Sequence, residues 1–486
     1  MSTMRRILSA SMVSAVALGL VVATDLAPSA IAATCNAPEA NADPPPGSPS
    51  TPAGQLPTGR RPGGAVATAP LPKLGPLISA LIQAGTPQAA APVQQQAAVT
   101  PGTANSPGAE AQPAPNAAQP AQPAPVPSTA NPADAIAGSQ TSLVEWVTGP
   151  NSPNQTLQRF GIAGTDLGIP WDNGDPANPQ VLMAFGDTFG YCRIQGHQWR
   201  HNVLLRSQNR DLSGGISVPA AAMGNKYSGS PLRQANFSKQ IIPAVRLSPH
   251  QDSVIPTAAI AVGGNQYLNF MSVKQWGRDG EWSTNYSAIA VSKDNGENWG
   301  VFPGTIRSTA QENVPRARYV PGNENFQQGA FLKGNDGYIY SFGTPAGRSG
   351  SAYLSRVPQQ LVPDLTQYQY WSASENGGTW VPSNPAAATP VIPGPVAEMS
   401  AQYNPYLQQY LVLYGNGGSG ANNVVARTAP TPQGPWSAEQ TLVSHGQIPG
   451  GIYAPFIHPW SSGKDLYFTL SLWNAYDVML MHTVLG

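Results

Sequence analysis

Hydrophobic and polar positions alternate in short runs over the C-terminal two-thirds of the chain, and long stretches with a helical 3.6-residue rhythm are missing. Five runs rich in Tyr, Phe and branched residues each follow a turn: "QVLMAFGDTF" from Gln180, "NQYLNFMSV" from Asn265, "DGYIYSFGT" from Asp336, "QQYLVLYGN" from Gln408 and "KDLYFTLSL" from Lys464. Such side chains suit a pleated, half-buried surface. A second run comes after each one: "NVLLRSQ" from Asn202, "SAIAVSKD" from Ser287, "SAYLSRV" from Ser351, "NVVARTA" from Asn423 and "DVMLMHT" from Asp477. A shorter apolar run precedes each pair: "GTDLGIPW", "IPTAAIAV", "NFQQGAFL", "AEMSAQYN" and "IYAPFIHP". Five units of three or more antiparallel strands, recurring every roughly 55–85 residues, predict an all-β five-bladed β-propeller. A β-sandwich would need no fivefold recurrence.

One turn adds independent support. Ser292-Lys293-Asp294-Asn295-Gly296-Glu297-Asn298-Trp299 has the S-x-D-x-G-x-x-W spacing of the Asp box found on propeller blades. There the carboxylate caps backbone N–H groups, Gly supplies a positive φ and Trp plugs between strands. Glu375, Gly377 and Trp380 repeat the spacing in degraded form. The motif is structural, and Asp294 is not a catalytic candidate.

The strand pattern stops short of the N-terminus. Arg5 and Arg6 precede an apolar run from Ile7 to Ala23, and Ala30-Ile31-Ala32 has the small-x-small form of a cleavage site. Residues 1–32 are therefore expected to be a secretion signal, too weak and short for a comfortable membrane span. Residues 33–142 are dominated by Pro, Ala, Gln and Gly, as in "AQPAPNAAQPAQPAPVPS". Such a segment cannot bury enough apolar surface to offset its ordering entropy, so a disordered linker is expected. One apolar island, Leu71 to Ile82, interrupts it. All 11 tryptophans lie at or after Trp146, which puts the propeller domain at 143–486.

Of the 486 residues, 25 are Lys or Arg and 25 are Asp or Glu, so formal net charge is zero. Nucleic acid is excluded as the main partner, because phosphate binding needs a basic surplus or stripe. Export permits a disulfide between the two cysteines, Cys35 and Cys192, though spacing alone leaves two unpaired thiols equally open. Two cysteines and no His pair at ligand spacing argue against a structural metal, and no cofactor is expected; a calcium in the central channel stays open. No P-loop, G-x-S-x-G, G-x-G-x-x-G or H-E-x-x-H pattern stands in a supporting context. An arginine triad of the kind a sialidase needs is also missing.

In a propeller the innermost strands line a channel, and the loops entering them gather at one face. Ionisable residues at those strand starts are Asp166 in "GTDLG", Asp252 in "HQDSVIP", Glu324 in "NENFQQG" and Glu398 in "VAEMSAQ", with Tyr453 in the fifth unit. Asp187 in "FGDTFG" ends the following strand of the first unit, and antiparallel pairing returns it to the same face. Converging carboxylates are what glycoside hydrolysis needs: one protonated to meet the leaving oxygen, one ionised to activate water or attack carbon. Their separation decides between inversion and retention. Rings add stacking surfaces for sugar, drawn from Trp171, Trp199, Trp276, Trp282, Tyr453 and Trp473. With His201, Asn202, Asp252, Gln328 and Glu398, the rings Trp199, Tyr453 and Trp473 complete the candidate substrate-binding set around the catalytic candidates Asp166 and Asp187.

At "GIAGTDLGIPW…VLMAFGDTFG" and the Asp-box stretch, the chain resembles a family of actinobacterial secreted domains of formerly unknown function. That family looks like five-bladed propellers and includes endo-D-arabinanases that cut mycobacterial arabinogalactan and lipoarabinomannan. The resemblance covers about 143–486 and implies that Asp166 and Asp187 are the catalytic carboxylates. It further implies an exported enzyme acting on cell-wall arabinan, expected to be a monomer without a membrane span. The rival expectation is a non-catalytic propeller that binds cell-wall glycan or a protein.

Overall fold

The computed structural model describes residues 30–50, 136–137 and 139–486, apart from 246, 279, 376, 419–421 and 462. Five antiparallel blade sheets follow one another along the chain, with a two-stranded hairpin, Leu232–Gln234 and Phe237–Ser238, between the first and second. Blade 1 comprises Gly164–Asp172, Val181–Phe189 and Val203–Ser207. Blade 2 comprises Ser253–Val262, Asn265–Trp276 and Trp282–Ser292. Blade 3 comprises Gln328–Lys333, Tyr338–Thr344 and Ala352–Pro358, with Gln369–Ser374 and Gly377–Pro382 outside them. Blade 4 comprises Met399–Asn404, Gln409–Gly415, Val424–Ala429 and Gln440–Val443. Blade 5 comprises Ile452–Ile457, Asp465–Leu472 and Asp477–Val484. Every run read from the sequence falls on one of the first three strands of a blade.

The first strand of each blade packs against the first strands of the blades before and after it, in a closed cycle of five. These strands wall the channel. The ring is fastened by strand Gln140–Trp146, which pairs antiparallel with Asp477–Val484 and so becomes the outer strand of blade 5. Neighbouring blades cover both faces of the central strands, so Val181–Phe189, the second strand of blade 1, and Ile452–Ile457, the first of blade 5, are buried along their whole length.

Between blades 1 and 2, Trp171 donates its indole N–H to Gln266 Oε1 at 2.8 Å and meets Trp299 edge-on at 6.4 Å. Trp299 closes the Asp-box turn. In that turn Asp294 Oδ1 accepts the Asn298 N–H at 2.8 Å and the Ser292 hydroxyl at 2.8 Å, while Gly296 adopts φ +78°. The motif thus pins a hairpin against its neighbour, far from any carboxylate chemistry.

The expected linker is not uniform. Residues 33–50 are folded against blade 1, and Gln140 already belongs to the outer strand of blade 5. A short helix, Ala30–Cys35, leads to a Cys35–Cys192 disulfide. Cys192 N–H donates to Ala40 O at 2.8 Å, and Gln198 Nε2 donates to Pro49 O at 2.9 Å. Composition does not show this hold, which combines a disulfide, backbone hydrogen bonds and the burial of single alanines, Ala33 and Ala40, against the domain. The expected signal up to residue 29 and the apolar island Leu71 to Ile82 lie outside the described residues. Among the described residues no helix is long and apolar enough to cross a membrane.

Candidate active site

Inner strands all begin at one face of the propeller, so residues at strand starts and in the loops between second and third strands meet there. Asp166 is the third residue of Gly164–Asp172 and Asp187 stands near the end of the antiparallel partner Val181–Phe189. Register between these strands shifts on both sides of Leu167, whose φ is +72°, and Gly168 follows at +68°. Leu167 N–H, lost to its own ladder, donates to Ser471 Oγ of blade 5 at 2.9 Å. Such a bulge re-aims a side chain. A positive φ on a branched residue is backbone strain of the kind found at functional sites. Gly186 makes the space: a Cβ there would lie 2.4 Å from Asp166 Oδ1.

The two carboxyls have different neighbours. Asp166 Oδ2 accepts the Tyr453 hydroxyl at 3.0 Å, while its Oδ1 is buried and has no hydrogen-bond partner among the described residues. Burial pushes the Asp166 pKa up to about 7; the Tyr453 hydrogen bond and the nearby Arg348 oppose the rise, and Glu398 adds to it. Asp187 is 3% exposed, and its Oδ1 accepts two donors, Ser253 Oγ at 2.6 Å and Trp199 Nε1 at 3.0 Å. Burial raises its pKa to about 8, with Asp166 and Asp252 pushing the same way and the two hydrogen bonds opposing.

Second-layer contacts fix these donors. His201 Nδ1 lies 3.1 Å from Ser253 Oγ and accepts the Val254 N–H at 3.3 Å, which places the ring proton on Nε2. Burial holds His201 down at about 4, so it is neutral at ordinary pH. The Trp199 ring meets it edge-on at 4.3 Å. Asp252 is half-buried and accepts the Trp276 N–H at 3.2 Å. Trp276 and Trp282 form an edge-on pair at 5.7 Å, and neither buried indole N–H has a partner among the described residues.

Other candidates are placed differently. Asn202 is fully buried: its Nδ2 donates to Val254 O, and its Oδ1 accepts the Ile241 and Ile242 N–H groups. With the whole amide engaged by backbone, it ties loops together and does not reach a substrate. Gln328 is likewise buried, donating to Pro345 O and Gly347 O. Both Glu398 oxygens are held by Arg348, which leaves that carboxylate no lone role in sugar binding. Glu324 caps a turn by accepting the Gly322 N–H and does not join the aspartates. Trp473 is buried against Tyr453 and Tyr476, a ring behind the site. Trp171 is core between blades 1 and 2. Sequence reasoning missed Ser253, Arg348 and Tyr476; their signal was position alone, at a strand start or in a loop between second and third strands.

Among the described residues, Cys35, Cys192 and His197 form a cluster close enough to share an ion, but the two sulfurs are bonded to each other. A hollow of about 680 Å³ between blades 2 and 3, lined by Leu247, Val301, Ile306 and Leu365, is separate from the carboxylates.

Among known proteins, the chain is 29% identical to the Notoamide biosynthesis cluster protein J' of Aspergillus versicolor over 327 residues, spanning 65% of this chain and 83% of that protein. It is 24% identical to an uncharacterized 35.9 kDa protein in the asd 3'region of Mycolicibacterium smegmatis over 234 residues, spanning 47% of this chain and 60% of that one. Relatives therefore include fungal as well as actinobacterial proteins. Among solved structures, a putative hydrolase from Bacteroides ovatus covers 72% of this chain and 95% of its own, with 12% identity and a TM-score of 0.46. The native Bacillus subtilis arabinanase Arb43A covers 66% and 95%, with 13% identity and a TM-score of 0.36. Likenesses at that level say nothing of the reaction. The model of the domain of unknown function DUF4185 matches residues 151–482, and the chain belongs to that family.

Proposed function

We propose that this protein is an exported, endo-acting glycoside hydrolase of D-arabinofuranosyl linkages in cell-wall arabinan, with Asp187 as general acid and Asp166 as base or nucleophile. The observation that carries this reading is the pair of carboxyls on adjacent strands at one channel mouth, Asp187 buried, Asp166 half-buried, and the two unequally partnered. Proton affinity near neutrality in both, with a like charge beside each, is how two carboxyls come to share acid and base work. In Asp187, Oδ1 already accepts two donors, so the proton sits on Oδ2, free to be delivered to a leaving oxygen. In Asp166, Oδ1 is buried over Gly186, while Oδ2 accepts the Tyr453 hydroxyl at 3.0 Å and keeps lone-pair capacity for attack on, or activation of, an incoming group. The half-buried Trp199 and the Trp276–Trp282 pair flank the carboxyls as apolar walls for sugar faces. The Cys35–Cys192 disulfide accords with an oxidising compartment. The sugar's identity comes from the family resemblance.

The test is oligosaccharide release from purified arabinogalactan by the wild type, Asp166→Asn and Asp187→Asn, with L-arabinan and fructan as alternative substrates. Release from arabinogalactan alone, abolished in both variants, supports the reading. Full release by either variant removes that residue from the chemistry. Binding without product from any substrate would instead make this a glycan-binding propeller. The anomer first released, followed by proton NMR, assigns inversion or retention.

A further inference from the structure

The segment 33–50 reaches both strand ends that carry the carboxyls. On one side Thr34 is buried against Gly164, two residues before Asp166: a Cβ on that glycine would lie 2.3 Å from Thr34 Oγ1. Ala33 joins the core cluster that holds Phe189 and Tyr476, and Trp199 packs against the same cluster. On the other side the segment grips the loop 190–199, which begins just after the strand that ends beyond Asp187. The Cys35–Cys192 disulfide closes onto this loop, Cys192 N–H donates to Ala40 O at 2.8 Å, and Gln198 Nε2 donates to Pro49 O at 2.9 Å. The loop needs such a grip. Gly196, His197 and Gln198 have φ of +74°, +50° and +53°, left-handed residues in a row directly before Trp199. Non-glycine residues keep that conformation only where their surroundings over-determine it. Inside the loop, Gln198 Oε1 accepts the Tyr191 N–H at 3.0 Å, and His197 Nδ1 donates to Cys192 O at 2.8 Å. Trp199 then emerges with its indole Nε1 3.0 Å from Asp187 Oδ1.

We propose that residues 33–50 form a positioning arm for the carboxyl site, and that Gln198 is the positioning residue through which the arm holds the Trp199 indole on Asp187. Its use in catalysis rests on the hydrolase reading, but the hydrogen bond it fixes exists in the free protein. Gln198 is 1% exposed, and its amide turns its acceptor to the loop and a donor to the arm. One side chain thus ties the arm to the residue next to Trp199. Loosening that tie lets the left-handed turn relax and withdraws the indole from the carboxyl. The exposed Arg193–Asp43 ion pair also joins arm to loop, but a surface pair of this kind holds little. A purely stabilising arm would raise the melting temperature and have no bearing on where Trp199 sits in the folded protein.

The experiment follows the Trp199 indole N–H by NMR of the whole protein labelled with ¹⁵N at tryptophan, the resonance being assigned by its loss in Trp199→Phe. Between about pH 6 and about pH 10 the wild-type resonance is displaced as Asp187 ionises, since burial puts that midpoint at about 8. Asp166, Asp252 and Tyr476 also act on Asp187 through space, and His201 lies against Ser253; all of them are kept in every variant compared. Gln198→Ala, with the disulfide intact, loses most of the displacement, and so does the double variant Cys35→Ala/Cys192→Ala. Arg193→Ala keeps it. A wild-type displacement in Gln198→Ala or in the folded double variant overturns the proposal. Equal losses in all three variants also overturn it, because they report general loosening. If one of the two decisive variants fails to fold, the other decides alone by the same criterion. Turnover is a separate readout: in Gln198→Ala kcat falls about 10-fold with KM held, because a misplaced reacting group slows the chemical step. Loss of the displacement in a protein that cleaves no glycan upholds the arm and sinks the hydrolase reading. Undiminished cleavage by Gln198→Ala, with the wild-type displacement, upholds the hydrolase and sinks the arm.

Discussion

Asp166 and Asp187 are one side chain in two settings, and the difference predicts how activity depends on pH. Under the proposed hydrolysis, a base that ionises near 7 beside an acid that deprotonates near 8 gives a narrow bell of kcat/KM, with its top between those values. The two limbs belong to the coupled pair and not to either residue alone. A plateau extending below pH 5 would contradict this assignment. Asp187→Asn copies the neutral form, with its oxygen still accepting from Ser253 and Trp199, so the fold survives while turnover falls about 10³-fold. It also raises stability. A carboxyl whose folded pKa is raised favours the native state only where it is protonated, and that contribution is lost as pH climbs from about 4 toward 8. The variant has no such loss, and urea denaturation at pH 8 against pH 5 should show a gain on the order of 2 kcal/mol at the higher pH. Both aspartates were legible because each lies in a short motif on a strand end. Arg348, Ser253 and Tyr476 were not, since their relevance depends on which blade stands next to which. Asn202 was misread because a polar residue beside a candidate site looks free until the backbone groups it satisfies are placed.

At the scale of single elements, the strand Gly164–Asp172 carries the site through a defect. Its bulge turns Asp166 toward blade 5, and Gly186 on the partner strand leaves room for the carboxylate. Gly186→Ala should therefore reduce kcat/KM by about 10²-fold with little change in melting temperature, because a misplaced reacting group is costly even in an intact fold. The Asp-box turn is the opposite case. Asp294→Ala removes a cap remote from the carboxyls, and calorimetry should find about 1 kcal/mol of lost stability with unchanged pH dependence of activity. Blade strands were readable from alternation alone. The outer strand Gln140–Trp146 was only half recognised, since its first residues look like the linker they follow. Residues 33–50 were read as linker because their hold on the domain is a disulfide, backbone hydrogen bonds and a few buried alanines, none of which stands out in composition. Replacing Cys35 and Cys192 by alanine frees that segment from the loop preceding Trp199. The expected cost is about 2–4 kcal/mol, as the bridge spans 157 positions of chain. Thermal melts of the double variant check this.

At the scale of the whole molecule, five similar sheets converge on one channel, and the site belongs to no single blade. Blade 1 supplies both aspartates, blade 2 Ser253, blade 3 Arg348, blade 4 Glu398 and blade 5 Tyr453. Their relative placement depends on the ring being shut. The fastener is the pairing of Gln140–Trp146 with Asp477–Val484, the last strand of the chain. Until that last strand exists, the first one has nothing to pair with, and five blades form an open arc with two raw edges. Growth of the polypeptide therefore cannot be matched step by step by assembly of the final architecture. The earliest strand of the domain must wait, unpaired, for the latest, and the geometry of the carboxyl site arrives all at once at the end. The same pairing joins positions more than three hundred residues apart, which places this protein among the slow, topologically demanding folders.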